Sequence, residues 1–529
     1  MKKEMISAFL AASSSLTFAA IELGAPFSNG AVLQRGMKVP VWGKVVPGPL
    51  VFIKPKGSIT PKKVKVEFAG QTKVVDVGLD GKWRVDLDPM EASSESRTMK
   101  VTEFNKGFLF DSTVDSVEVK DVLVGEVWFA SGQSNMETPI WHDGNSRYRD
   151  GKGAMMTSMT KMPLVRFIKT PRVYGTSGRN KLKVEWKKFE PSNFVAPPHS
   201  AHWKLLSAVA WYYARELHIA LGIPVGIIDS SIGGTNIDAW TPNEGYLDCD
   251  KSIAQTAQYK PLFGKEFANC PGRKIYGAQF QQPTALFNAM VRDYTPMAMR
   301  GFIWYQGCHN NRESHLYTAK MHALYKGWAK TFENPSLKLY FCQLAPWKHN
   351  WLSLCMAQTR FAAEEPNASL AVTADIGNFD DIHPNDKETV AQRLVIHALK
   401  NDYGFDIPEV NSPVAKSFSV SNSVVKIEFE NAKSWYVYNR DLSYDVPFEI
   451  AGKDGVWKKA EIAVCKGCEK DWKSMYLISH PELYIKSAEV KEPVAIRYLG
   501  RDRTSGVLYN QSTFPLGPFE MKISDLSSK

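Results

Sequence analysis

The stretch Val122-Leu-Val-Gly-Glu-Val-Trp-Phe-Ala130, running directly into Ser131-Gly-Gln-Ser-Asn-Met136, decides the fold class. Its first half is rich in β-branched and aromatic residues and does not alternate with polar ones, the pattern of a strand covered on both faces. Its second half is small and polar, the composition of a tight turn. A strand buried on both sides and ending in a polar turn is the repeating unit of a parallel sheet flanked by helices.

The unit recurs. Apolar runs suited to buried strands stand at Leu164–Ile168, Ile223–Asp229, Met299–Tyr305, Lys338–Leu344 and Leu370–Ala374. Helical periodicity fills the intervals at Ala208–Leu221, Pro283–Arg292, Leu316–Phe332, Leu352–Glu364 and Asp386–Leu399. Residues 120–405 are therefore expected to form an α/β domain of three layers, α/β/α. Such sheets bind ligands in the crevice at the carboxyl ends of their strands.

On either side the period changes to two. Val64-Lys-Val-Glu-Phe68 and Trp83-Arg-Val-Asp-Leu87 alternate, with Asp80-Gly81 as a hairpin turn, and predict a β-sandwich domain over residues 20–119. Val425-Lys-Ile-Glu-Phe429, Tyr476–Ile478, Val494–Leu499 and Val507–Tyr509 predict a second β domain over 406–529. The start, MKKEMISAFLAASSSLTFAA, joins two lysines to a weakly apolar stretch and small residues. It is expected to be a signal peptide over residues 1–19, which implies a secreted or periplasmic product. No later apolar run is long enough to span a bilayer.

The net charge of +10 is spread along the chain without a basic stripe or a nucleic-acid motif, so it predicts a solvated surface and no nucleic-acid partner. Seven cysteines are too few for a disulfide scaffold of 529 residues. Cys249 with Cys270 could tie an insertion, and Cys465 with Cys468 could clip a hairpin. The latter pair has no second C-x-x-C to complete a zinc site.

Four strand ends carry unusual polar loops: Ser131–Met136, Ser231–Trp240, Tyr305–Asn310 and Asp375–Pro384. All four are expected at one crevice, and their chemistry suits acyl transfer. Ser134 can present a hydroxyl to a carbonyl carbon, and His383 can take its proton. A carboxylate just upstream, Asp380 or Asp381, can hold the imidazole tautomer. The Ser134 N–H, Gly233, Gly234 and the Asn310 amide are expected to form an oxyanion hole. Gln133 and Gln306, on the same turns, are expected substrate contacts. No cofactor and no metal are called for.

The four loops resemble the blocks of SGNH hydrolases, flavodoxin-like enzymes named for Ser, Gly, Asn and His. More narrowly, VWFASGQSNME, SSIGGTNIDAWTP, IWYQGCHNN and DIHPNDKETVAQRL are similar to the sialate O-acetylesterase family. So are PFSNGAVLQRGMKVPVWGKVVPG and IRYLGRDRTSGVLYNQSTFPLGPFEM near the two ends. The resemblance implies a serine esterase that removes acetyl groups from sialic acid, at a 9-O position, or from another glycan such as acetylxylan. A non-catalytic carbohydrate-binding protein is the reading from another class, and the intact Ser134, Asn310 and His383 weigh against it. The family spacing favours Asp380, three residues before the histidine. Where family members have WYQGESN this chain has WYQGCHN, so Cys308 and His309 alter the wall beside Asn310. Arg147, Arg149 and Arg312 follow the Ser and Asn loops and are expected to meet a sialate carboxylate.

Overall fold

The strand Ser112–Gly132 (β1) organises the computed structural model. Up to Asp121 it is mostly exposed or half-buried and pairs antiparallel with Ser93–Asn105; from Val122 to Gly132 every residue is buried. One strand thus begins in a one-faced antiparallel sheet and ends in a sheet covered on both sides. The domain boundary expected at residues 119 and 120 falls inside it.

The described residues are 20–46, 62–105, 111–140, 161–173, 182–194, 204–247, 253, 281–348, 351–377, 381–438, 447–463, 468–470, 475–500 and 507–523. The expected leader, Arg147, Arg149, Cys249, Cys270, Cys465 and Asp380 lie outside them.

The central sheet adds Met162–Lys169 (β2), Lys187–Phe189 (β3), Val225–Ser231 (β4), Gly301–Tyr305 (β5), Lys338–Cys342 (β6) and Ala368–Ala371 (β7), in the order β3-β2-β4-β1-β5-β6-β7. All neighbours are parallel except β3, which runs antiparallel along one edge. The fold is mixed α/β. Helices Ala208–Leu221 (α1), Ser314–Thr331 (α2), Leu352–Glu364 (α3) and Lys387–Tyr403 (α4) connect or flank these strands. α1 packs with α4, and α2 with α3. Ser207 caps α1 by accepting the Ala210 N–H, and Gly222 ends it in the left-handed region. Asp386 and Gly404 do the same for α4.

Before the central sheet, Ala20–Leu23, Val39–Val46 and Lys82–Leu87 form a small antiparallel sheet, and Lys62–Phe68, Gln71–Asp76 and Ser93–Asn105 extend β1. After it come antiparallel sheets of seven and four strands. Their core of Val425, Ile427, Trp435, Phe448, Leu483 and Ile496 also takes in Val372 and Ala374, which follow β7. Tyr509 donates to Asp375 at 3.1 Å, and Arg393 grips both oxygens of Asp375 at 2.7 Å. The C-terminal sheets are thereby tied to the root of the His383 loop. Among the described residues no helix is long and apolar enough to cross a membrane.

Candidate active site

β4, β1 and β5 end level with one another: Gly132 is the register partner of Ser231 on one side and of Tyr305 on the other. The loops that follow are thus held within reach of each other by backbone pairing. Gly132 has φ +144°, and a Cβ there would collide with the Tyr305 carbonyl, so the turn into Ser134 requires glycine. The Gln133 N–H donates to that same carbonyl at 3.0 Å. Ser134 then opens a short helix, Ser134–Glu137, and remains partly exposed.

The second loop lies directly against the Ser134 turn. A Cβ on Gly233 would stand 3.3 Å from the Ser134 Cβ and 3.2 Å from Glu137 Oε2. Gly234 has φ +72° and open space around it. Beneath the loop, buried Asp229 accepts from Lys169 at 2.8 Å, from Ser231 Oγ at 2.7 Å and from the Ser207 N–H at 2.8 Å.

Three expected roles change. The Gly233 N–H, expected as an oxyanion donor, is given instead to Glu137 Oε2 at 2.8 Å. Gln306, expected to contact substrate, is fully buried: its Nε2 donates to the Thr235 carbonyl at 3.0 Å and to Asn310 Oδ1 at 2.7 Å, while its Oε1 accepts from Tyr317 at 2.8 Å. It braces Asn310 instead. Gln133 also braces, its Oε1 accepting from the Gly307 N–H at 3.1 Å and the His309 N–H at 3.4 Å.

Asn310 is oriented from three sides. Its Oδ1 accepts from the Ile237 N–H at 3.0 Å as well as from Gln306, and its Nδ2 donates to Glu313 Oε2 at 3.1 Å. Glu313 is held in turn by Lys320 at 2.7 Å, and Lys320, 1% exposed, also binds buried Asp238 at 2.9 Å. Arg312 is exposed on the turn after Asn310.

The fourth loop reaches the Ser134 turn through Asn135. Its Nδ2 donates to the Ile382 carbonyl at 3.1 Å, and its Oδ1 accepts from buried Lys387 at 2.6 Å. His383 is partly buried, and Asp381 Oδ1 lies 3.3 Å from its Nδ1 while accepting its backbone N–H at 2.9 Å. Cys308, on the third loop, is a free thiol. Burial pushes its thiol up to about 12, so the reactive thiolate is absent near neutrality. Among the described residues no cluster of three or more His, Cys, Asp or Glu is arranged to hold a metal.

Glu137, whose Oε1 accepts from Arg172 Nε at 2.8 Å, belongs to this framework with Arg172, Asn135, Glu313, Lys320 and Lys387, and none of them was singled out from the sequence. Lys320 left a trace: it interrupts the buried stripe of Leu316, Tyr317, Met321 and Leu324 on α2. A lysine there must find carboxylates inside the protein.

Comparisons with known proteins bear on the activity. Residues 183–400 match the family model described as carbohydrate esterase, sialic acid-specific acetylesterase. The sialate O-acetylesterases of Mus musculus and Homo sapiens are each 26% identical to the chain. The alignments cover 92% of this chain and 91% of the mouse protein, and 94% of this chain and 92% of the human one. The crystal structure of a carbohydrate acetylesterase from Xanthomonas citri superposes with a TM-score of 0.72 at 26% identity, covering 95% of this chain and all of that one. The protein is a carbohydrate O-acetylesterase. Over residues 183–400 it is similar to the sialic acid-specific acetylesterases among the carbohydrate esterases.

Proposed function

We propose that the enzyme hydrolyses acetyl esters of sialic acid, most readily at the 9-O position, through a serine nucleophile in a three-layer α/β/α domain of the SGNH type. The observation that carries this reading is the convergence of the Ser134, Gly233, Asn310 and His383 loops, interlocked by Gln133, Gln306, Asn135 and Glu137 at the carboxyl end of one parallel sheet. In this reading Ser134 Oγ attacks the acetyl carbonyl as His383 takes its proton. The developing oxyanion is met by the Ser134 N–H, the Gly234 turn and the Asn310 amide. Collapse expels the sugar oxygen, which receives the proton from His383, and water then releases acetate from Ser134 by the same steps in reverse. The carboxylate comes from the Asp380-Asp381 pair: Asp381 is beside Nδ1, and Asp380 has the family spacing. The names of the curated relatives support the sialate assignment. The leader-like start supports secretion.

The test is turnover of para-nitrophenyl acetate by Ser134→Ala and His383→Ala, followed by a panel of acetylated sugars. Each substitution should lower kcat by at least about ten-thousandfold without unfolding the protein. Acetylated sialic acid should be preferred to acetylated xylo-oligosaccharides. A Ser134→Ala protein with a tenth or so of the native rate would overturn the mechanism; preference for xylan fragments would overturn only the sugar.

A further inference from the structure

Glu137 is 7% exposed and stands one helical turn from Ser134. One carboxylate oxygen accepts from Arg172, at 2.8 Å from Nε and 2.5 Å from Nη2; the other accepts the Gly233 N–H at 2.8 Å. Arg172 follows β2, Glu137 follows β1 and Gly233 follows β4, so three neighbouring strand ends meet at one carboxylate. A buried carboxylate a few ångströms from Ser134 is at first sight misplaced, since negative charge must develop on the substrate there. Its value is geometric. A charged acceptor makes a shorter and stronger bond to an amide than a neutral one, and this bond sets how closely the glycine turn approaches the nucleophile.

We infer that Glu137, with Arg172 cancelling its charge, is a positioning residue that holds the Gly233–Gly234 turn against Ser134. The assignment rests on the reading of Ser134 as the nucleophile. Glu137 does not touch the substrate. It acts through the turn, and Arg172 keeps its charge from opposing the oxyanion.

Two substitutions separate reach from charge. Beside Arg172→Met, Glu137→Gln can keep its one oxygen at the Gly233 N–H and loses the charge; Glu137→Asp keeps the charge and withdraws the oxygen by a methylene. With para-nitrophenyl acetate, Glu137→Asp should lose about a hundredfold in kcat with little change in KM, the penalty of a reacting group displaced by about 1 Å. Arg172→Met should be slower than the double variant Arg172→Met/Glu137→Gln, because the second change removes the uncancelled charge. Should Glu137→Asp fail to fold, that last comparison decides alone. The inference is overturned if Glu137→Asp melts normally and turns over within about threefold of the native rate, if its loss lies in KM, or if the double variant is no faster than Arg172→Met. Full activity in Ser134→Ala would instead sink the nucleophile assignment, whatever Glu137 does.

Discussion

Gly233→Ala tests the packing of the second loop on the nucleophile with the smallest possible change. The added methyl would lie 3.2 Å from Glu137 Oε2, 3.3 Å from Ser134 Cβ and 3.6 Å from Ser134 Cα. Comfortable carbon contacts are about 3.5–4.0 Å, so something must yield by a few tenths of an ångström. Neither neighbour is a loose end. Glu137 is gripped by Arg172 and by Gly233 itself, and the Ser134 carbonyl accepts from the Thr138 N–H at 2.8 Å and from Thr138 Oγ1 at 2.9 Å. The strain therefore separates the turn from Ser134. If a displacement of about 1 Å costs about a hundredfold, a shift of half that costs about tenfold, or some 1.4 kcal/mol in the barrier. Stability should fall by about 1 kcal/mol. Gly222→Ala is the control: at φ +68° with nothing within 4 Å, it should cost about 1–2 kcal/mol of stability through its backbone and leave kcat alone. The assay is kcat and KM on para-nitrophenyl acetate beside a thermal melt of each variant. A Gly233→Ala enzyme with kcat within about twofold of native would refute the reasoning, because the loop would then not be packed on the nucleophile as described.

Asp380→Asn and Asp381→Asn should differ sharply, one losing about ten-thousandfold in kcat and the other little; small losses in both would leave a Ser–His dyad without an orienting carboxylate. His397 on α4 is buried and pushed down to about 4 from its ordinary 6.5, so it stays neutral while folded. The unfolded chain takes up that proton first, so this contribution is whole above about pH 6.5 and is lost towards pH 4, by up to about 3 kcal/mol. Melting curves of His397→Phe should therefore fall less steeply over that range than native ones, and parallel curves would refute the shift. Tyr509→Phe removes one bond to Asp375 at the root of the His383 loop and should lower Tm by a few degrees or less; loss of the whole cooperative transition would contradict so local a role.

The strands and helices of the central domain were largely legible because burial on both faces writes a dense apolar run and a one-faced helix writes a period near 3.6. Ala208–Leu221 and Leu352–Glu364 are helices with the expected ends. The last strand was read as Leu370–Ala374 and is Ala368–Ala371, with a reason that lies in another part of the chain. Val372 and Ala374 are apolar because they pack into the C-terminal β core, and no local pattern distinguishes that from strand burial. The boundary at 119 and 120 was placed where the alternation stops. The alternation stops because the covering changes, while the strand itself continues. Within the site, the residue types at strand ends identified the loops. The assignment of Gln306 and Gly233 to direct contact failed because hydrogen-bond partners lie on other strands: Thr235 and Tyr317 occupy one, Glu137 the other.

Among the described residues at this end of the sheet, Lys169 pairs with Asp229, Arg172 with Glu137, and Lys320 with both Asp238 and Glu313. Taking such charges out of water costs several kcal/mol per ion, and apolar residues of similar size often serve stability as well or better. Their use must then lie in what else they bind. In each, one carboxylate also accepts a further N–H: Asp229 from Ser207 and Glu137 from Gly233, both on other segments, and Glu313 from the Asn310 amide on its own turn. A carboxylate aims an N–H more firmly than a neutral acceptor does, but unaccompanied it would raise the energy of an oxyanion forming nearby. The paired cation removes that objection while leaving the bond in place. An apolar substitute would save the desolvation cost and lose the aim. On the reading of Ser134 as the nucleophile, the need to fix the segments around the reacting carbonyl accounts for these charges where stability does not.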